Sequence, residues 1–303
     1  MREGTMTVGF IGLGTMGAPM ARNVLDKGHA LIVLDVVQDA VAKLVAAGAR
    51  AASTPKDVAA ASDVVITMLP DAPDVERVAL GKNGIVEGIR PGSVYIDMST
   101  IDPDTTRKIG AEIAAAGASM IDCPVGKTAD HAVAGTLTLM VGGPAEVVAR
   151  CRPLLDCMGS DFFHCGELGA GQTMKLINNL LATAVSEASI EALVTGTKSG
   201  LSLDTMTSVL RTTMAWNNAL AISLPKRPLA GDFKPGFMVK LAHKDCRLAL
   251  SMTERLGVRA PVGRAALASV DEAMQKGLQD DDVGALLKLR EEQAGVKVRQ
   301  RST

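Results

Sequence analysis

Lys175 sits in a stretch where a charge is out of place. From Met174 to Val194 the chain is apolar almost all the way round a helix, the pattern of a helix buried between two bodies. Asn178 and Asn179 follow at i+3 and i+4, on the same face as Lys175. An ammonium rarely goes under cover without a partner, because desolvating it is costly. Here the neighbours in sequence are neutral amides, an arrangement that places a proton donor beside a polar substrate. A lysine snorkelling to solvent at a helix start is the plainer reading of a lone residue. The flanking asparagines favour a site.

A second constellation lies at the N-terminus. Thr7 to Ile11 reads as a buried strand that runs into Gly12-Leu13-Gly14-Thr15-Met16-Gly17, with a helix to about Lys27. That strand–turn–helix context gives the glycine pattern its meaning. Gly12 permits the tight turn, Gly14 lets the backbone approach a pyrophosphate, and Gly17 lets helix pack on strand. The helix start then offers free N–H groups to the phosphates. The next strand, Ala30 to Leu34, ends in Asp35, at the ~20-residue spacing of an acid that binds the ribose hydroxyls. No Arg or Lys occurs from Val36 to Ala42 to receive a 2′-phosphate. The expected cofactor is therefore NAD rather than NADP.

These groups need a scaffold, and the alternation of apolar runs with helical segments supplies one. Strands are expected over Asp63–Leu69 before Pro70, Ser93–Asp97, Met120–Asp122 and Thr136–Val141, with a helix from Ala145 to Cys157. This is the pattern of parallel βαβ units, which bind ligands at the carboxyl ends of their strands. Leu69, Pro70, Ser99, Thr100 and Cys123 to Thr128 should border one cleft. Beyond Gly169 only helical patterns follow, punctuated near Gly200, Pro225, Pro228, Gly231, Pro235-Gly236 and Pro261. The fold class is α/β: a Rossmann-type doubly wound, mostly parallel sheet over residues 1–166, then an all-α domain over 167–303 opened by a long helix. The Gly166-Gly169-Gly171 segment is a plausible hinge.

Composition narrows the function. At 303 residues the chain can hold one large domain or two, with two expected, and 47% apolar content supports a full core. Aromatics at 2% leave little for stacking on single-stranded nucleic acid, and a net charge of -1 argues against a polyanion binder. The basic tail Lys297-Val298-Arg299-Gln300-Arg301 reads as a solvated end. Five scattered cysteines without a CxxC fit a reducing compartment, and four dispersed histidines carry no metal spacing. No signal peptide or membrane span is read, so a cytoplasmic protein is expected. Gly126-Lys127-Thr128 looks like the end of a phosphate-binding P-loop, but Ile121 stands where that loop needs glycine.

Together these pieces resemble the β-hydroxyacid dehydrogenases, the group that includes 3-hydroxyisobutyrate dehydrogenase. The resemblance covers essentially the whole chain. It is carried by the glycine turn, Asp97-Met98-Ser99-Thr100-Ile101, Asp122-Cys123-Pro124-Val125, Gly135-Thr136-Leu137-Thr138, Gly171 through Lys175 to Asn179, and His243-Lys244-Asp245. It implies that Lys175 is the catalytic residue and that Asn178 or Asn179 orients substrate. It implies that Thr100 and Lys244 approach the nicotinamide and that Leu69 and Pro70 line the cofactor's path. A homodimer or homotetramer built through the helical domain is also implied.

Most of the family follows Pro-Val with Ser-Gly-Gly, which holds the substrate carboxylate. This chain has Gly126-Lys127-Thr128 there. The family's sulfolactaldehyde-reducing branch has Gly-Arg-Thr, with the arginine on the sulfonate, so Lys127 suits a sulfonate or another strong anion. Lys is a point charge and Arg a planar fork, so the two are not equivalent. Ala182 also departs from a serine in that branch. The implied reaction interconverts a short anionic aldehyde, foremost 3-sulfolactaldehyde, and its primary alcohol. Carboxylate substrates such as 3-hydroxyisobutyrate, tartronate semialdehyde or succinate semialdehyde are the alternative. Burial and a second cation, Lys127 or Lys244, would favour the neutral amine that a base requires. An imine reductase is disfavoured by Lys175. A non-catalytic dinucleotide-binding protein would need none of Lys175, Asn179 and Lys244.

Overall fold

Short runs of Val, Ile and Leu, each closed by a glycine, proline or acid, lack the length for a helix and pair into one sheet. The computed structural model describes residues 6–299. Its strands are β1 Thr7–Ile11, β2 Ala30–Leu34, β3 Arg50–Ala51, β4 Val64–Thr67, β5 Val94–Asp97, β6 Ser119–Asp122, β7 Val125–Gly126, β8 Leu137–Gly142 and β9 Gly159–Gly166. They are ordered β3-β2-β1-β4-β5-β6-β8-β7, with β9 beside β8. The run from β3 to β6 is parallel, β8 is antiparallel to β6 and β7, and β9 is parallel to β8. The mostly parallel, doubly wound fold expected from the sequence is present.

Register decides what this sheet can present. Ile11 pairs with Leu34 and Thr67, Thr67 with Asp97, and Asp97 with Asp122. Five strands thus end in line, and the segments opening at Gly12, Asp35, Met68, Met98 and Cys123 leave from one edge. Side chains alternate between two covered faces: Val94 and Ile96 enter one apolar cluster, and Tyr95 between them enters the other.

Three strands escape the sequence reading. β3 and β7 are two residues each, too short to show a period. β9 is eight residues long but exposes Ser160, Asp161, Phe163 and His164, so it carries no apolar run.

The chain divides into two compact units between Lys175 and Leu176. That division falls inside a single helix, Ala170–Lys198. The second unit is helical, as expected, with principal helices Leu203–Leu210, Val239–Arg255, Pro261–Gln275 and Leu286–Ala294. Ile190, Leu193, Val194, Val270, Leu286 and Leu287 form its centre. Among the described residues, no helix is long and apolar enough to cross a membrane.

Two expectations need correction. The long helix is not buried all round: Met174, Ile177 and Leu181 are 40%, 48% and 63% exposed. Nor is the start of the basic tail a loose end. Buried Glu291 accepts from Lys297, Arg299 and the Val298 amide, and Val298 is itself buried. Gln300 and Arg301 lie outside the described residues.

Candidate functional site

The glycine turn after β1 has the geometry of a dinucleotide cradle. Gly12 holds φ +96°, and a Cβ there would meet the Met68 carbonyl oxygen at 2.3 Å. A Cβ on Gly17 would meet the Gly12 carbonyl oxygen at 1.9 Å, so helix and turn touch backbone to backbone. At Gly14 a Cβ would meet nothing within 4 Å, and Gly14 and Thr15 are exposed, with Met16 half-buried. That open side is where a pyrophosphate can lie against the first N–H groups of the helix Gly17–Asp26.

Asp35, just past β2, is drawn into the same turn. Its carboxylate accepts the Leu13 amide at 2.5 Å and the Val37 amide at 2.7 Å. Each oxygen keeps a lone pair for a hydroxyl donor. These residues fit an NAD adenosine and leave no cation for a 2′-phosphate between Val36 and Ala42.

Further along the edge, the Leu69 amide donates to Ser99 Oγ at 2.9 Å, and Pro70 is exposed. Half-buried Thr100 follows Ser99. From the first turn of the long helix, buried Gln172 donates to the Ser99 carbonyl at 2.8 Å and accepts the Ile101 amide at 3.2 Å. Asp122, fully buried at the end of β6, accepts the amides of Gly169 and Gln172, each at 2.7 Å. Burial pushes this carboxyl up to about 6, against the pull of those two amides, with nearby Asp97 adding to the rise. Half-buried Lys175 lies one turn beyond Gln172 on the same helix. The sequence reading placed Asp122 and Gln172 only within longer motifs and gave neither a role. Their partners lie 47 to 73 positions away, so no local spacing points to them.

In the helical unit a polar chain runs through four side chains. Exposed Asn178 donates to Asn179 Oδ1 at 2.9 Å, and buried Asn179 donates to Asp245 Oδ2 at 2.5 Å. Lys244 Nζ stands 3.3 Å from Asp245 Oδ1, with its side chain only 16% exposed. Asp245, itself buried, sets the orientation of both neighbours. The asparagines are therefore not purely neutral surroundings; a carboxylate stands behind them.

Lys127 is placed otherwise than its spacing suggests. It follows β7 with φ +74°, in the left-handed region that, among the described residues, only Asn83 shares among non-glycines. Its ammonium donates to the Thr136 carbonyl at 2.8 Å and to Asp161 Oδ2 at 2.6 Å. That ion pair holds the Asp161 carboxyl below its ordinary value. Gly126 is buried in the β7–β8 pairing, and Thr128 Oγ1 contacts His131 Nδ1 at 3.0 Å. The structure thus gathers the glycine turn with Asp35 and Leu69 with Ser99. It gathers Asn178, Asn179 and Lys244 around Asp245, and sets Lys127 in a patch of its own across β7, β8 and β9. Lys127 and Lys244 each have a carboxylate partner, so neither stands as an uncompensated cation.

The chain is similar to known proteins along most of its length. Residues 7–166 match the model for the NAD binding domain of 6-phosphogluconate dehydrogenase. Residues 169–290 match the model for the NAD-binding domain of NADP-dependent 3-hydroxyisobutyrate dehydrogenase. The chain is 41% identical over 289 residues to 3-sulfolactaldehyde reductase of Escherichia coli K12, spanning 95% of this chain and 97% of that protein. It is 38% identical over 296 residues to 2-(hydroxymethyl)glutarate dehydrogenase of Eubacterium barkeri, spanning 98% of each. Among solved structures, 3-hydroxyisobutyrate dehydrogenase of Mycobacterium tuberculosis with L-serine superposes with a TM-score of 0.88 at 33% identity. That superposition covers 94% of this chain and 99% of the other.

Proposed function

We propose that this chain, which belongs to the 3-hydroxyisobutyrate dehydrogenase-like family of NAD-dependent β-hydroxyacid dehydrogenases, interconverts a short anionic aldehyde and its primary alcohol. The favoured pair is 3-sulfolactaldehyde and 2,3-dihydroxypropane-1-sulfonate. The observation that carries this choice is the cation at position 127, in a left-handed backbone where most of the family has glycine. Lysine has three donor protons, and Thr136 and Asp161 engage two. The third can meet a sulfonate, with Gly126 and Thr128 beside it.

NADH supplies the hydride when bound in the cradle formed by Gly12, Gly14, Thr15, Met16, Gly17 and Asp35. Leu69, Pro70 and Thr100 would help hold the cofactor, and Lys244 would serve its reacting ring. Negative charge develops on the carbonyl oxygen during reduction. Lys175 stabilises that oxygen and donates the proton to it, and in the oxidation direction takes the proton back. Asn178 and Asn179 hold the substrate oxygens, with Asn179 fixed by Asp245 so that little reorganisation is needed. Lys175→Ala should keep NADH binding and lose roughly 10³-fold in kcat. Turnover within a few-fold of wild type would remove Lys175 from the mechanism.

One observation favours a second reading. Asp161 neutralises Lys127, which lowers the charge contrast between a sulfonate and a carboxylate. Substrates such as 3-hydroxyisobutyrate or the semialdehydes of tartronate and succinate then become the natural ones. Steady-state NADH oxidation with sulfolactaldehyde and the semialdehydes of succinate, tartronate and methylmalonate separates the two. A kcat/KM preference for the sulfonate that collapses in Lys127→Ala supports the first reading. A carboxylate preference, or indifference to Lys127, supports the second.

The chain is also proposed to form a homodimer or homotetramer through its helical unit, inside the cytoplasm, with small anionic molecules rather than nucleic acid or membrane as its partners. Support for self-association comes from exposed apolar residues, Leu256, Val258 and Val262, within seven residues where two helices join.

A further inference from the structure

We propose that Asp122 and Gln172 are positioning residues that seat the first turn of the long helix and thereby fix Lys175 over the ends of β5 and β6. The proposal rests on the reading of Lys175 as the catalytic residue.

A helix that begins at Ala170 needs acceptors for its first N–H groups. A side chain at the residue before it ordinarily supplies one. Here that residue is Gly169, at φ +91°, with no side chain to offer. The acceptor comes instead from another element: Asp122 takes the Gly169 amide on one oxygen and the Gln172 amide on the other. Burying a carboxylate completely is costly, and these two bonds to the positive end of a helix offset part of that cost.

The fit is close on every side. A Cβ on Gly171 would meet the Met140 carbonyl oxygen at 2.2 Å and Asp122 Oδ2 at 2.8 Å. A Cβ on Gly142 would meet Asp122 Oδ1 at 2.4 Å and the Gly171 nitrogen at 2.8 Å. The helix start therefore lies flush against β6 and β8. Gln172 adds a second fastening at right chemistry on both atoms of its amide, to the Ser99 carbonyl and the Ile101 amide, which flank Thr100.

Lys175 follows Gln172 by three residues, so its backbone has little freedom relative to those strand ends. A simple helix would be stabilised as well by a serine or aspartate at its own start. A buried carboxylate delivered from the sheet does something more: it registers the helix against the edge on which the cofactor lies. A misplacement of about 1 Å at a reacting group can lower the rate about 100-fold.

The test uses the full chain and the aldehyde of the four named above that wild type reduces fastest. Asp122→Asn keeps the shape but presents an amide N–H₂ to one backbone N–H. It should lower kcat roughly 30- to 100-fold and leave the NADH dissociation constant, read by fluorescence titration, within about twofold, because the cradle after β1 is untouched. Because Asp122 acts through Lys175, the double variant Asp122→Asn/Lys175→Ala should be no slower than Lys175→Ala alone. A kcat within threefold of wild type, losses that multiply in the double variant, or NADH affinity that falls in parallel with kcat would each overturn the proposal. If Lys175→Ala alone turns over near the wild-type rate, the reading of Lys175 fails, whatever Asp122→Asn does. Should Asp122→Asn yield no soluble protein, Gln172→Met decides. A large kcat loss with NADH binding retained supports the seat, and a kcat within threefold of wild type overturns it.

Discussion

Each oxygen of the Asp35 carboxylate already accepts one backbone N–H, from Leu13 or from Val37, and that pair of bonds aims its remaining lone pairs. A ribose diol can then donate twice, whereas a 2′-phosphate would meet like charge. Asp35→Ala should weaken NADH roughly 10- to 100-fold, the loss of one or two hydrogen bonds to a charged acceptor, and narrow the gap to NADPH. Fluorescence titration with both nucleotides checks this; an unchanged NADH affinity would take Asp35 out of the cofactor site. This residue was legible in the sequence because its role follows from its distance to a glycine turn. Lys127 was legible only in part. Its type and place could be read, but its bond to Asp161 joins positions 34 apart, one just past β7 and one on β9, and neither strand had a readable signal. Asp161→Asn should release the ammonium and raise kcat/KM for a sulfonate-bearing aldehyde relative to a carboxylate one. If the ratio stays unchanged, Lys127 does not face the anion.

Elements with a clear period were readable, and their ends could be placed to within a few residues: β1 and β2 match their apolar runs. What the period could not supply was the way one element is held by another. The buried carboxylate joining β6 to the long helix is the chief case, and it has a consequence for pH. Burial, aided by Asp97 on the neighbouring strand, raises Asp122 from 3.8 to about 6. Burial also pushes up the thiols of Cys123 and Cys165, and the Asp122 charge adds to both rises. The native state thus holds the Asp122 proton more tightly than the unfolded chain does. The resulting stabilisation is complete below the unfolded value of 3.8 and is lost as pH rises through about 6. Across that window the difference is on the order of 3 kcal/mol. Carboxylates such as Asp161 and Asp280, held below their ordinary values by lysines, tilt stability the other way. The informative quantity is therefore the difference between wild type and Asp122→Asn in urea unfolding from pH 4 to 7.5. That difference should shift in favour of the variant as pH rises; a constant difference would mean that Asp122 titrates as it does in the unfolded chain.

At the scale of the whole molecule, the change from alternating strands and helices to helices alone announced two bodies. The division itself falls between Lys175 and Leu176, inside an uninterrupted helix, where no glycine or proline could mark it. The sequence pattern also hid which apolar residues remain uncovered. A run such as Leu256-Gly257-Val258-Arg259-Ala260-Pro261-Val262 reads as an ordinary turn between two helices. In the folded chain Leu256, Val258 and Val262 are 69%, 55% and 69% exposed, and the turn joins the helices Val239–Arg255 and Pro261–Gln275. Isolated exposed apolar residues are normal, but three within seven residues, in the turn and the first turn of the helix after it, expose a surface that a monomer gains nothing by keeping. Association through this turn would bury it and make stability depend on protein concentration. Light scattering after size exclusion should therefore give two or four times the chain mass, falling toward one on dilution. The pair Val258→Lys/Val262→Lys should shift that equilibrium toward the single chain while each chain still binds NADH, because the glycine turn and Asp35 belong to the other unit. A wild-type mass equal to one chain at all concentrations, or an oligomer indifferent to both lysines, would show that this turn is not where the chains meet.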